Sequence, residues 1–266
     1  MRRTFLVAGV VALAAVPAAE ASAKTTITLS GSTSVAPLAA KLARQYVKER
    51  KGKVGFRLLQ GGSDVGVADV ARGRVTLGMS SRDPKPSDPG GLVFSRIARD
   101  AICIITNKSN TLSDVSQAQV QSIFGGGVRD WGQVPGASAS GTINLFVRTA
   151  ASGTQDAFQK IFLGTTKVSS VASQRASNGL VQQAVKNSKT GIGYVSLAFT
   201  KGTNPVSYKG VACTLRNAKA GTYGGLRSFW MVSRGAPKGA AKKWIHWIRN
   251  DKDALKITAE QWVPLK

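Results

Sequence analysis

The 266-residue chain predicts an α/β layered fold, on three observations. Short strand-like segments alternate with helical ones through polar loops, the pattern of a sheet covered by helices. Hydrophobic residues make up 42% of the chain, enough for a sizeable core at a length that suits one or two domains. No internal repeat or long low-complexity linker interrupts the alternation.

TTITLS, residues 25–30, alternates as a short strand. GSTS follows, then VAPLAAKLARQYVKERK. There Val35, Leu38, Leu42 and Tyr46 recur at helical spacing, and Lys41, Arg44 and Lys48 fall mostly elsewhere on the wheel. Ser34 is the expected cap, and Pro37 fits the first turn, where its missing N–H would have had no partner. VGFRLLQ is a second strand. GGSD then opens the short helix VGVADVARG, which Gly73 stops. VTLGM is a third strand, followed by the polar loop SSRDPKP. LVFSRIARDAICIITNKSN reads as strand, and LSDVSQAQVQSIFGG as a helix capped by Ser113. TINLFVRT is a strand, and SGTQDAFQKIFLG a helix with Phe158, Ile161 and Phe162 on one side, ending at Gly164. NGLVQQAVKNSKTGIGYVSLAF gives helix, turn and strand, and the tail after residue 235 holds two helical stretches. Two lobes fit this order, with crossings near 103–108 and 193–199.

The first 23 residues have a different grammar. Arg2 and Arg3 precede an apolar run from Phe5 to Val16, and Ala21-Ser22-Ala23 forms a small-x-small cleavage signal. This reads as a secretory signal peptide. The run is shorter than the ~20 residues that span a bilayer, and no Cys lies nearby to carry a lipid. The expectation is a periplasmic or otherwise exported protein beginning near Lys24. In an oxidising compartment Cys103 and Cys213 could pair; two small buried strand residues are the alternative.

The formal charge is +24, from 37 Lys plus Arg against 13 Asp plus Glu. Such a charge suits anionic partners without specifying a fold. Export argues against nucleic acid, and no zinc-finger spacing or RNA-binding strand motif is present. The densest basic cluster holds Lys41, Arg44, Lys48, Arg50, Lys51, Lys53 and Arg57. It reads as a solvated helix face and its following turn; the alternative is a docking patch for an acidic surface.

The inventory disfavours an enzyme. The one histidine, His246, sits in the late helical stretch KKWIHWIRN. One His and two distant Cys do not make an ordinary zinc site, so no metal or cofactor is expected. GxSxG, GxxxxGK[ST] and GxGxxG are all missing.

What remains is convergent. Gly31-Ser32-Thr33-Ser34, Gly61-Gly62-Ser63 and Ser152-Gly153-Thr154 all precede or open helices, and all are small, hydroxylated and glycine-containing. Helix N-termini offer free N–H groups and a partial positive charge, which suits an anion. Arg148 lies four residues before Ser152.

These segments carry a resemblance. GSTSVAPL, QGGSDVGVADVARGRVTLGMSSRDPK, QSIFGGGVRDWGQVPG, RTAASGTQDAF, GIGYVSLAF and ITAEQWVPL follow one another as in the phosphate-binding proteins of ABC importers. The resemblance covers nearly all of the chain after residue 23. It implies a type II periplasmic-binding-protein fold: two lobes, each a mixed β-sheet flanked by helices, with the ligand in the cleft. Lobe I would be residues 24–104 and 197–266, and lobe II residues 105–196. The implied function is capture of inorganic phosphate by hinge closure and delivery to an ABC permease at the membrane, by a monomer. The implied phosphate ligands are Thr33, Ser34, Ser63, Ser81, Arg148, Ser152, Gly153 and Thr154, with Arg82 adding positive charge. One position departs from the family's common pattern: Ser81 stands where many members have an Asp that accepts from protonated phosphate. This weakens the expectation of discrimination against sulfate or arsenate. Other readings are a binding protein for sulfate, molybdate or tungstate, a secreted phosphate-ester hydrolase, or an adhesion protein on the same scaffold.

Overall fold

The computed structural model describes residues 25–266; the segment read as a signal peptide lies outside them. In chain order the elements are β1 (Thr25–Gly31), α1 (Ala36–Glu49), β2 (Val54–Gln60), α2 (Ser63–Ala71), β3 (Leu77–Ser80) and β4 (Leu92–Thr106). Next come β5 (Asp114–Val115), α3 (Gln117–Gly125), β6 (Asn144–Arg148), α4 (Gly153–Phe158), β7 (Ser173–Arg175), α5 (Asn178–Asn187) and β8 (Gly191–Ser196). Last are β9 (Asn204–Tyr208), α6 (Leu215–Ala220), β10 (Leu226–Arg234), α7 (Gly239–Asn250) and α8 (Lys252–Ala259). A π-helical turn, Gln159–Leu163, extends α4 up to Gly164.

The strands run in the order β2-β1-β3-β10-β4-β8-β6-β7, with β9 on β4 and β5 on β9. β1 lies parallel to β2 and β3, and β6 lies parallel to β7 and β8. β4 joins the two parallel sets. Its first part, Leu92–Ala101, pairs antiparallel with β10, and its last part, Ile102–Thr106, pairs with β8. The stretch at 92–110 expected as strand is therefore one long strand that stops at Thr106.

Two large apolar clusters sit on either side of that change of partner. One gathers Ile27, Leu29, Leu38, Leu42, Tyr46, Ala98, Phe229, Trp244 and Trp262. The other runs from Ala101 to Tyr223 along the chain, with Val263 added, and includes Phe124, Trp131, Phe158, Tyr194 and Val206. The spacing Val35, Leu38, Leu42, Tyr46 is a buried stripe along α1 from its N-cap to its last turn, and burying each large apolar side chain contributes about 1.5–3 kcal/mol. Cys103 and Cys213 are disulfide-bonded inside the second cluster, Cα to Cα 5.6 Å, tying β4 to the segment before α6.

Two caps differ from expectation. Ser34 does not cap α1; the Ser32 hydroxyl accepts from the Ser34 and Val35 backbone N–H groups. Ser113 does not cap α3 either. Ser116 does, in a reciprocal box with Gln119, because residues 114–115 form a short strand first.

Candidate functional site

The parallel strands β1, β2 and β6 end in the same region, and each is followed by a helix that begins there. In α/β sheets this is where ligands bind, outside the carboxyl ends of the strands. Close approach of the helix starts depends on glycine. Gly62 has φ +102, and a Cβ there would press on the Ala151 carbonyl group. A Cβ on Gly153 would collide with the Ser63 hydroxyl and come within 2.9 Å of the Arg82 backbone nitrogen. The Asp64 N–H donates to the Ala151 carbonyl at 3.1 Å, stitching the α2 start to the loop before α4.

A buried polar network fills the junction. The hydroxyls of Ser34 and Thr154, 120 residues apart, lie 2.9 Å from one another. The Ser32 hydroxyl donates to Ser81 Oγ at 2.9 Å, and Ser63 Oγ lies 3.3 Å from Ser81 Oγ while accepting from the Ser81 N–H. Ser152 Oγ accepts from the Thr154 and Gln155 N–H groups and caps α4. Asn178, at the start of α5, donates to both Thr33 Oγ1 and Ser34 Oγ. Ser34, Ser63, Ser81, Ser152, Thr154 and Asn178 are all almost fully buried.

Two guanidinium groups reach this network. Arg148, 2% exposed, donates to the backbone carbonyls of Arg175 (3.1 Å) and Ala176 (2.8 Å), which aim its remaining nitrogen at Thr154 Oγ1, 3.4 Å away. Its backbone N–H donates to the Tyr194 hydroxyl. Among the described residues no carboxylate forms an ion pair with Arg148. Burial, with repulsion from Arg227, pushes its pKa down to about 10, against a partial offset from Tyr194. The side chain remains a cation at neutral pH.

Arg227, on β10, is the second. It donates to Thr154 Oγ1 and Ser34 Oγ, each at 2.9 Å, and approaches Ser81 Oγ at 3.4 Å. Asp100 on β4 receives two of its N–H bonds on Oδ2, at 3.0 and 2.8 Å. Burial pushes the Asp100 carboxyl up from its ordinary range, and Arg227 opposes that push. The other oxygen, Oδ1, accepts from Ser196. The pair is close to neutral, so the Arg148 charge is the uncompensated one.

Eight of the nine expected site residues, Thr33, Ser34, Ser63, Ser81, Arg148, Ser152, Gly153 and Thr154, meet here. Arg82 departs from the expectation. Its guanidinium turns away to Asp64 (2.6 Å) and, with two nitrogens, to Asp88 (2.6 and 2.9 Å). It braces the loop after β3 and brings no free charge. Arg227, Asp100 and Asn178 were not anticipated. Neither Arg227 nor Asp100 stands out in the sequence, since each shares its strand with other polar residues: Ser228 beside Arg227, and Arg96 and Arg99 before Asp100.

Comparison with known proteins places the chain in a family and a fold. A model of the PBP superfamily domain matches residues 16–252. The phosphate-binding protein PstS of Bacillus subtilis is 23% identical over 92% of this chain and 83% of its own length. A crystal structure of a candidate phosphate ABC transporter substrate-binding protein from Clostridium perfringens, with bound phosphate, superposes with a TM-score of 0.85. It is 27% identical over 91% of this chain and all of that one. An ABC-type phosphate transport receptor from Vibrio cholerae, 24% identical over 89% of this chain and 99% of its own, shares the fold with a TM-score of 0.72.

Proposed function

The chain belongs to the PBP superfamily, and we propose that within it this protein is an exported receptor that captures inorganic phosphate and delivers it to an ABC permease. One observation carries the reading: a buried, permanently charged Arg148 without a carboxylate, set among hydroxyls at the starts of α1 and α4. An unpaired buried charge is costly, and a bound anion removes that cost. A tetrahedral oxyanion matches the donor set, because hydroxyls and a planar guanidinium fork approach it from different sides. The names of the B. subtilis relative and of the C. perfringens structure with its bound phosphate support phosphate as that anion.

In this reading Arg148 and Arg227 supply charge-assisted hydrogen bonds, while Thr33, Ser34, Ser63, Ser81 and Thr154 supply hydroxyls. Gly153 lets the ligand approach the backbone, and Ser152 holds the α4 start in shape. The donors come from two lobes, so the ligand favours the closed arrangement by population shift. We draw the second lobe along its apolar cluster, from about residue 101 to about 226, wider than the 105–196 expected from sequence. The work of the site is binding, since nothing in the donor set is placed as a nucleophile with a base.

A second reading, sulfate, is favoured by one specific feature. The one carboxylate in the network, Asp100, has both oxygens engaged by Arg227 and Ser196. A protonated phosphate must therefore find its acceptor among hydroxyl oxygens, Ser81 foremost. Calorimetry with phosphate, sulfate and molybdate separates these readings. Tight phosphate binding is expected, and sulfate or molybdate binding without phosphate binding overturns the assignment.

A further inference from the structure

At the far end of β1 and β2 lies a second feature that the phosphate reading does not use. A groove of about 1570 Å³ runs between the C-terminal end of α1 with its turn and the length of α7, from Gly239 to Asp251 just past its end. Thr25 and Val54, the first residues of β1 and β2, line it, whereas the anion site sits beyond their last residues. Seven-residue strands put the two about 20 Å apart.

The groove walls are cationic. Arg50, Lys51, Lys53, Lys242, Lys243 and His246 line it, and all six are exposed. Among the described residues none of the five Lys and Arg forms an ion pair with a carboxylate. The acids that also line it are otherwise engaged. Glu49 accepts from Gln45 and from the Trp247 indole, and Asp251 caps α8. Arg50, Lys51 and Lys53 of the basic cluster at residues 41–57 thus form one wall of a concave surface whose other wall comes from α7, nearly 200 residues later in the chain. Arg50, Lys51, Lys53, Lys242 and Lys243 outweigh Glu49 and Asp251 in the lining, and a cleft of net positive charge focuses an attractive field for anions.

We infer that this groove binds an extended polyanion of closely spaced phosphate groups, of the inorganic polyphosphate type. Its concave shape suits a linear chain. Tyr46 and Trp247 on its floor are 2% and 4% exposed, so they offer nucleobases no stacking platform of the kind single-stranded nucleic acid uses. The exposed large apolar residues, Leu59, Val65, Val93, Val171 and Leu180, all lie outside the groove, so it has nothing to insert into a bilayer. The inference is independent of the phosphate site, because the two use different residues.

The test measures binding of medium-length inorganic polyphosphate to the full chain at physiological salt. It compares the wild type, the triple variant Lys53→Glu, Lys242→Glu, Lys243→Glu, and a control triple, Lys108→Glu, Lys167→Glu, Lys201→Glu. Inorganic phosphate titration is run on each as a check on the first site. The expected result is salt-sensitive binding that the groove triple weakens roughly tenfold or more, while the control triple and phosphate binding stay near wild type. The inference is overturned by no polyphosphate binding, by equal loss in both triples, or by loss of polyphosphate binding in a separately measured Arg148→Ala variant. Tighter binding of single-stranded DNA or of phosphatidylglycerol vesicles overturns it as well.

Discussion

Arg148 and Arg227 are both buried arginines in one hydroxyl network, yet they differ in what balances them. Arg227 shares Asp100, whereas Arg148 has only backbone carbonyls. Replacing Arg148 with Met should therefore weaken phosphate binding by about 2–5 kcal/mol. It should leave the melting temperature of the ligand-free protein unchanged or raised, since a buried unpaired charge disappears. A loss of affinity accompanied by unfolding would assign Arg148 a structural role instead. Asp100→Asn should act in the opposite sense. It strands Arg227 and costs roughly 3–5 kcal/mol of stability, readable by chemical denaturation. Arg148 was legible in the sequence because its company is local: a glycine- and hydroxyl-rich loop follows it directly. Arg227 was not, because its meaning depends on Asp100, 127 residues earlier, and on hydroxyls of α1 and α4. Ser81 joins the same network, with Ser32, Ser63 and Arg227 as its side-chain neighbours and no carboxylate among them.

At the scale of elements, the site is a meeting of helix starts, and the tightest contact is between α2 and the α4 entry. Gly153→Ala should force the Ser63 hydroxyl and the Arg82 backbone apart, at a cost of roughly 1–3 kcal/mol of overpacking. Phosphate affinity should fall with it, as calorimetry would show; an unchanged affinity would mean that this junction is not part of the site. The loop after β3 is held by Arg82 between Asp64 and Asp88. Burial disfavours the Asp88 charge, but the bonds from Arg82 and from the Lys85 N–H outweigh it and hold this carboxyl below its usual range. A lowered folded-state pKa adds stability above the unfolded value, about 4, and that stability is lost as pH falls through the folded one. Wild-type stability should thus contain an acid-sensitive component that Asp88→Asn lacks, visible in denaturation midpoints below about pH 4. Most helices and the strands up to β8 were legible from periodicity, but the short β5 and β7 and the elements β9, α6 and β10 were not. Helix caps were less legible: in GSTS and LSDVS several small hydroxyl residues stand in a row, and only the observed backbone shows that Ser32 serves the turn before α1 while Ser116 caps α3.

Across the whole molecule, long-range ties join what sequence distance separates. Lys85 reaches Asp156 at 2.6 Å and Asp64 at 3.8 Å, bridging the first turns of α2 and α4 at the rim of the site. This partly exposed pair is worth about 0.2–1 kcal/mol, so Asp156→Asn should speed phosphate release only a few-fold. The disulfide closes 110 residues of chain, and replacing both cysteines with alanine should cost about 2–5 kcal/mol of stability. The existence of both cysteines was plain from sequence, but not their proximity, which β4 and the segment after β9 create together. Lobe limits were blurred for a related reason. β4 runs without a break from one apolar cluster into the other, so no loop or linker marks the crossing. The role proposed for the buried Arg148 charge is to hold phosphate. It is tested most directly by titrating phosphate into the wild type and Arg148→Met by calorimetry at physiological salt. Saturable phosphate binding by the wild type, weakened about 30-fold or more in the variant, is the predicted result. No phosphate binding by the wild type, or equal affinity in the two, would contradict it.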